Sequence, residues 1–495
     1  MSARPIIAGY YPDPSICRVD NTYYIVNSSF EYTPGVPLHR STDLTTWEPV
    51  TNILARPSQL NVSFAPPSTG IYAATVRHHD GRFWMVTTNV LEGQRGQLIV
   101  SSEHAEGPWS EPVYVAGTTG IDPDLFWDEE EVCHLTWAST EPSAPGIASA
   151  PVDPVAGVLL DAPRLLWQGT GLAFPEAPHL YRRDGWWYVL LAEGGTERGH
   201  TVTIARSRSL DEPFEAAPGN PILSHRSTSH PVQNTGHADL VELADGSWAM
   251  VYLAVRPRGR TPMFHTNGRE TFIAGIDWVD GWPVVDEDRF VASPPDHSFR
   301  DRFDTEPLDQ RWISPNVWAE DFVQHAEGGG LVLSAPAPNA RRQMLLSRAR
   351  DEQWRATATL DVSDGSARLL VRIDDAHWCG LLADERGIEA TLTIGPAIMS
   401  LGRMDRPAGP VQLVITARTP EPTFPMPRNE PDIVELGVAR EDGTVEVLAS
   451  VDGRYFSTEV AGGFTGRTVG VEPVSGSVTV REISYQPISD GPVES

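Results

Sequence analysis

Short runs of aromatic and branched residues recur along roughly the first 290 positions, each preceded by a polar or proline-bearing lead-in and an Asp-led turn. The turns begin at Asp20, Asp80, Asp128, Asp184 and Asp245, and the runs behind them are Tyr23-Tyr24, Phe83-Trp84, Val132 to Leu135, Trp186 to Tyr188 and Trp248 to Tyr252. Asp-Gly readily supplies the positive φ of a tight turn and the flanks are strand formers, so each unit predicts a β-hairpin. A third element, a strand ending in a Ser-rich turn and an aromatic, follows from Leu38, Leu98 and Val202. Helical periodicity is nearly absent. Five units, each with room for about four short strands, predict a five-bladed β-propeller over residues 1–291.

The texture changes near Ala292. ASPPDHS reads as a linker, and period-two alternation follows in Ala367 to Ile373, Val411 to Thr416, Ile433 to Val438, Thr444 to Val451 and Ser477 to Ile483. Turns such as Asp442-Gly443 and Asp452-Gly453 break it. Residues 299–488 therefore predict a β-sandwich, and the whole chain is all-β.

In a propeller the first strand of each blade lines the channel, so equivalent lead-in positions converge on one axial pocket. Counting back from the turns, Asp13, Tyr72, Asp122, Glu176 and His237 lie 7, 8, 6, 8 and 8 residues away. Three acids, an aromatic and a histidine make poor core and a good polar site. Glu176 in FPEAPHLY sits between two prolines and apolar neighbours, where poor hydration raises a carboxyl pKa and suits it to donating a proton. A buried Glu paired with an Arg fits the same stretch equally well.

Composition narrows the chemistry. A formal charge of −28 over 495 residues argues against nucleic acid and anionic membranes as partners, and leaves a neutral ligand such as a small oligosaccharide. No Lys occurs, so all 38 positive charges are Arg and Schiff-base or Lys-base chemistry is excluded. Cys17, Cys133 and Cys379 lack metal-ligand spacing and read as reduced, packed thiols. The N-terminus carries no apolar stretch of signal-peptide length, so a cytoplasmic location is expected, although a trimmed chain would look the same. Oligomeric state is left open.

Three carboxylates around one pocket suit glycoside hydrolysis, in which one acid protonates the leaving oxygen while another carboxylate activates water or attacks the anomeric carbon. YYPDPS with Asp13, GIDPDLFWD with Asp122 and FPEAPHLY with Glu176 resemble, in order and spacing, the three active-site motifs of glycoside hydrolase family 43. SSFEYTPGVPLHRSTDLTTW, AEGGTERGH, TGHADLVE and GRETFIAGIDWVDGWP resemble its β-xylosidases and α-L-arabinofuranosidases.

The resemblance implies an inverting mechanism with Asp13 as general base, Glu176 as general acid, and Asp122 orienting Glu176 and raising its pKa. The base and acid carboxyls are then expected about 6.5–9.5 Å apart, leaving room for water. Family members commonly have Ser two residues after the Asp of the second motif. Here Asp124 stands there, and the expectation is that it pairs with an Arg or serves as a structural acid.

The resemblance further implies Phe30 and Tyr72 as apolar platforms for a sugar ring, and Arg269 as a ligand of sugar hydroxyls and the acid carboxylate. It also implies that His237 can sit beside a water-ligated calcium ion in the channel, with no cofactor required. For these residues ordinary wall packing, a salt bridge and a core histidine are the bland readings. The sandwich half resembles the concanavalin-like jelly roll of two-domain members, and Phe464 in GGFTGRTVG is its candidate for a pocket wall. Together these imply an exo-glycosidase removing terminal xylose or arabinofuranose from xylan- or arabinoxylan-derived oligosaccharides. The alternatives are an endo-arabinanase and a non-catalytic carbohydrate-binding propeller.

Overall fold

A computed structural model describes residues 4–141, 145–293, 295–421 and 429–488. Its contacts divide the chain into two units. The first comprises Met1–Ile7, Tyr11–Arg256 and Glu270–Pro294, and the second Ala8–Tyr10, Pro257–Arg269 and Pro295–Ser495. A single cut near residue 292 would leave Ala8–Tyr10 and Pro257–Arg269 with the first unit. They belong to the second because their bonds run there: Arg350 Nε donates to the Ala8 carbonyl at 3.1 Å, Arg348 Nε to that of Tyr10 at 3.1 Å, and Arg258 Nη1 to that of Glu352 at 2.8 Å.

The first unit is a five-bladed propeller of antiparallel sheets. Its inner strands are Ser15–Val19, Ile71–His79, Gly120–Trp127, Glu176–Arg183 and Gln233–Glu242. Each contacts the next, and the fifth contacts the first, so the ring is closed. The hairpin turns fall where the sequence puts them. Two-residue loops at Asp20-Asn21, Asp80-Gly81 and Asp184-Gly185 join the inner strands of blades one, two and four to their partners. The Asp in each has a φ of 47° to 53°, the left-handed conformation that Asp tolerates better than most residues.

The second strands Trp186–Glu193 and Trp248–Val255 are buried along almost their whole length, because both faces of a blade pack against neighbouring blades. Tyr188, Trp248, Trp278 and Trp282 meet edge to face between the fourth and fifth. Ile6 and Ile7 bond to Thr271 of the fifth blade, so chain from the N-terminal end is laced into the last sheet.

The second unit is a β-sandwich. Its longest strand, Thr468–Pro487, pairs through its first half with Gly365–Arg372 and Leu345–Arg348 in one sheet, and through its second half with Trp354–Asp361 and Leu331–Ser334 in the other. Trp354–Asp361 alternates buried and less buried positions without a break, as a strand with one face on the core must. The alternating runs read from the sequence all lie in strands to within a residue or two at each end. Trp354, Leu369, Leu413, Val471, Val480 and Tyr485 belong to the shared core. Cys17, Cys133 and Cys379 are free and buried, and burial pushes each thiol pKa up, so none is poised to react. No described helix is long and apolar enough to cross a membrane.

One buried pair in this unit yields a stability test. Arg467 is bonded through both terminal nitrogens to the Asp432 carboxylate, and it also donates to the carbonyls of Gly453 and Phe456. Burial alone would raise the Asp432 pKa, but Arg467 and Arg258 outweigh it and hold the carboxyl below its ordinary value. Asp432→Asn would strand the Arg467 charge and is expected to cost about 3–5 kcal/mol in denaturant unfolding at pH 7. A depressed carboxyl stabilises fully above its unfolded pKa of about 3.9 and loses that contribution as pH falls through the lower folded value. The gap between wild type and variant should therefore close only in acid. A gap already absent at neutral pH would contradict this account.

Candidate active site

A β-bulge falls at the same place on every inner strand. Strand pairing skips two residues against one at Asp13-Pro14, Tyr72-Ala73, Asp122-Pro123, Ala177-Pro178 and His237-Ala238. The first residue of four of these bulges is left-handed: Asp13 (φ 55°), Asp122 (55°), Ala177 (52°) and His237 (47°). Such a kink turns a side chain off the sheet and re-aims it, here at equivalent heights of the ring.

This corrects the sequence register at one position. Asp13, Tyr72, Asp122 and His237 do occupy equivalent sites, but the fourth blade places Ala177 there. Glu176 stands one residue earlier, level with Ile71, Ile121 and Gly236. The prolines carry the signal that counting from turns misses, since Pro14 and Pro123 align with Pro178 rather than Pro175.

Asp13 and Asp122, both at bulges, are each buried and each hydrogen-bonded. Asp13 is 5% exposed; its Oδ2 accepts from Ser28 Oγ at 2.5 Å, and its Oδ1 lies 3.5 Å from His237 Nδ1. Asp122 is 7% exposed, and its Oδ2 accepts the backbone N–H of Ala177 at 3.2 Å. That bond fixes the residue next to Glu176, which is itself half-buried. Phe30 and Tyr72 meet edge to face at 5.9 Å, because the Phe30 backbone bridges to Ile71 in both directions. Phe30 is 1% exposed, so little more than an edge of it is available.

His200, at the end of AEGGTERGH, bonds through Nδ1 to the Asn234 carbonyl at 3.1 Å. Its ring lies against Gly236, where a Cβ would come within 2.2 Å of it, so only glycine lets the His237 strand pass this close. Arg269 and Phe464 belong to the second unit and meet there, with the guanidinium 5.3 Å from the Phe464 ring centroid.

Directly after each bulge lies a further layer that sequence reasoning did not assemble: Ser15, Ala74, Asp124, His179 and Asp239. Ala74 is small, and Arg77 of the same blade puts its guanidinium among the other four. It is 2.7 Å from Asp124, 2.8 Å from Asp239, 3.0 Å from His179 Nδ1 and 3.2 Å from Ser15 Oγ. Asp124 is thus the partner of an Arg. Burial alone would raise the Asp239 pKa, but Arg77, with His179 and Tyr181, reverses this and holds it well below the usual carboxylate range. Burial likewise opposes charge on Arg77, and the two carboxylates overcome it.

Among the described residues no group of three or more His, Cys, Asp or Glu side chains is set to hold a metal ion. The water-ligated calcium expected beside His237 would not need such a group.

Comparison with known proteins assigns a family model to each half of the chain. Glycosyl hydrolases family 43 matches residues 2–283, and the beta xylosidase C-terminal concanavalin A-like domain matches residues 300–477. The chain is 34% identical over 517 residues to a xylosidase/arabinosidase of Butyrivibrio fibrisolvens, covering 96% of each. It is 35% identical over 498 residues to a non-reducing end alpha-L-arabinofuranosidase of Bacteroides ovatus, covering 94% of this chain and 90% of that one. A solved family 43 structure from Bacteroides ovatus superposes with a TM-score of 0.88 at 31% identity, covering 98% of this chain and 100% of that chain. A xylan beta-1,4-xylosidase from Bacillus halodurans gives 0.86 at 27%, with the same coverage. Bulged acids around a five-bladed ring, and matches that run nearly end to end, place this chain in glycoside hydrolase family 43.

Proposed function

We propose that the protein is an inverting, exo-acting glycosidase that removes terminal xylose or arabinofuranose from xylan- or arabinoxylan-derived oligosaccharides. The observation that carries the assignment of roles is the bond from the Ala177 N–H to Asp122, which ties the strand bearing one acid to the side chain of another. Full-length relatives named for xylosidase and arabinosidase action support the choice of sugars.

In this reading the protonated Glu176 gives its proton to the glycosidic oxygen as that bond breaks. Asp13, held by Ser28, takes a proton from the water whose oxygen attacks the opposite face of the anomeric carbon. The sugar leaves with inverted configuration, and proton exchange with solvent returns both carboxyls to their starting states. Asp122 orients Glu176 and, as a nearby like charge, favours its protonated form. Phe30 and Tyr72 supply apolar contact for the ring, and the chemistry itself calls on no cofactor.

The test is a paired assay on aryl β-D-xylopyranoside and aryl α-L-arabinofuranoside, with anomer-resolved NMR of the first product. Hydrolysis of at least one substrate with inversion is expected. Net retention, or a ladder of long oligomers from linear arabinan, would defeat the proposal.

A further inference from the structure

We propose that Arg77 is a positioning residue for the general acid, acting through Asp124 and Asp239 to hold the strand Glu176–Arg183 in place. The proposal rests on the reading of Glu176 as that acid.

Three bonds converge on this strand from the layer below the pocket. On one side Asp124, 2.7 Å from Arg77, accepts the backbone N–H of Leu180 at 3.0 Å. On the other side Asp239, 2.8 Å from Arg77, accepts from the Tyr181 hydroxyl at 2.6 Å, and that hydroxyl in turn accepts the Leu240 N–H at 2.8 Å. Between them His179, on the strand itself, meets Arg77 at 3.0 Å. Three consecutive residues, beginning three positions after Glu176, are therefore held by groups that share one guanidinium.

The neighbouring blades give the reason an Arg is needed. Asp124 and Asp239 are both fully buried and come from the third and fifth blades, on either side of the fourth. Without a cation between them the two carboxylates would repel, or one would take up a proton and lose acceptor strength. Either change loosens one grip on the acid's strand. A planar fork with five donors can bridge both, which a point charge does less well. Arg77 also donates to Ser15 Oγ and the Ile16 carbonyl of the first blade, so its own position is set from outside the fourth.

The test compares Arg77→Met, Arg77→Lys and Asp124→Asn with wild type on glycosides bearing poor and activated leaving groups. Circular dichroism and a cooperative thermal transition certify folding. A misplaced acid costs most where the leaving oxygen must be protonated. Arg77→Met is therefore expected to lower kcat by about 10²-fold on poor leaving groups, the loss typical of a reacting group displaced by ~1 Å. Loss on activated aryl glycosides should be far smaller, and Arg77→Lys should recover part of it.

Asp124→Asn keeps a carbonyl for the Leu180 N–H while removing the charge that Arg77 binds. It carries the same expectation and takes over if Arg77→Met does not fold. Equal loss on both substrate classes, or a fall in thermal stability with no change in leaving-group dependence, would overturn the proposal. Glu176→Ala is run alongside. If that variant shows no leaving-group dependence, the acid assignment fails first; if it does and the Arg77 and Asp124 variants do not, only the positioning role fails.

Discussion

Glu176→Ala is expected to lower turnover of oligosaccharides with unactivated leaving groups by about 10²–10⁴-fold, and that of activated aryl glycosides by much less. The asymmetry follows from the role. A sugar alkoxide is a poor leaving group and needs its proton in the transition state, whereas a nitrophenolate departs nearly unaided. The Ala177 backbone N–H bond to Asp122 does not involve the Glu176 side chain, so truncating that side chain leaves the bond intact and the loss can be read as chemistry. The check is kcat/KM across a series of aryl glycosides of graded phenol pKa, where the variant should show a steeper dependence than wild type. A parallel downward shift of the whole series would remove Glu176 from the acid role.

Asp13→Asn should give a loss of similar size, about 10²–10⁴-fold, spread evenly over the series, because water must be activated whatever leaves. Asn retains an oxygen to accept from Ser28 Oγ, so the bulge and the neighbouring His237 are expected to hold. The pH profile separates the two carboxyls. A base works only when ionised, so the low-pH limb of kcat/KM belongs to Asp13 and should vanish in Asp13→Asn. An acid works only when protonated, so the high-pH limb belongs to Glu176 and should persist. A variant that keeps its low-pH limb would transfer the base role to another group.

Strand order and hairpin position were largely legible, and particular residues show why. Asp20, Asp80 and Asp184 open two-residue turns because a short polar side chain tolerates positive φ there, a local preference that needs no partner from elsewhere. The alternation in Trp354–Asp361 is equally local. Asp13 and Asp122 were nominated from equally short stretches, by their count from the turns and by motifs that resemble family 43.

Glu176 was found as a residue and misplaced in register by one. A count from turn to lead-in does not see that the bulge falls at Ala177-Pro178. Arg77, His179 and Asp239 escaped notice as a group because each comes from a different blade. Arg77 sits three residues beyond Ala74 on its strand, outside the equivalent position, and joins the layer through its long side chain. Pro257–Arg269, read as part of the first half, belongs to the second unit through bonds such as that from Arg258 to the Glu352 carbonyl.

By itself the sequence determined the strands, their turns and the two β-rich halves. All of these depend on periods and side chains within a few residues of one another. Only the tertiary structure decided which of the candidate acids share a height in the ring, that Asp124 and Asp239 are the pair Arg77 bridges, and that the N–H of Ala177, next to Glu176, bonds to Asp122. Those outcomes depend on distances between strands tens to hundreds of residues apart in sequence, and a bulge of one residue changes which side chain faces the axis.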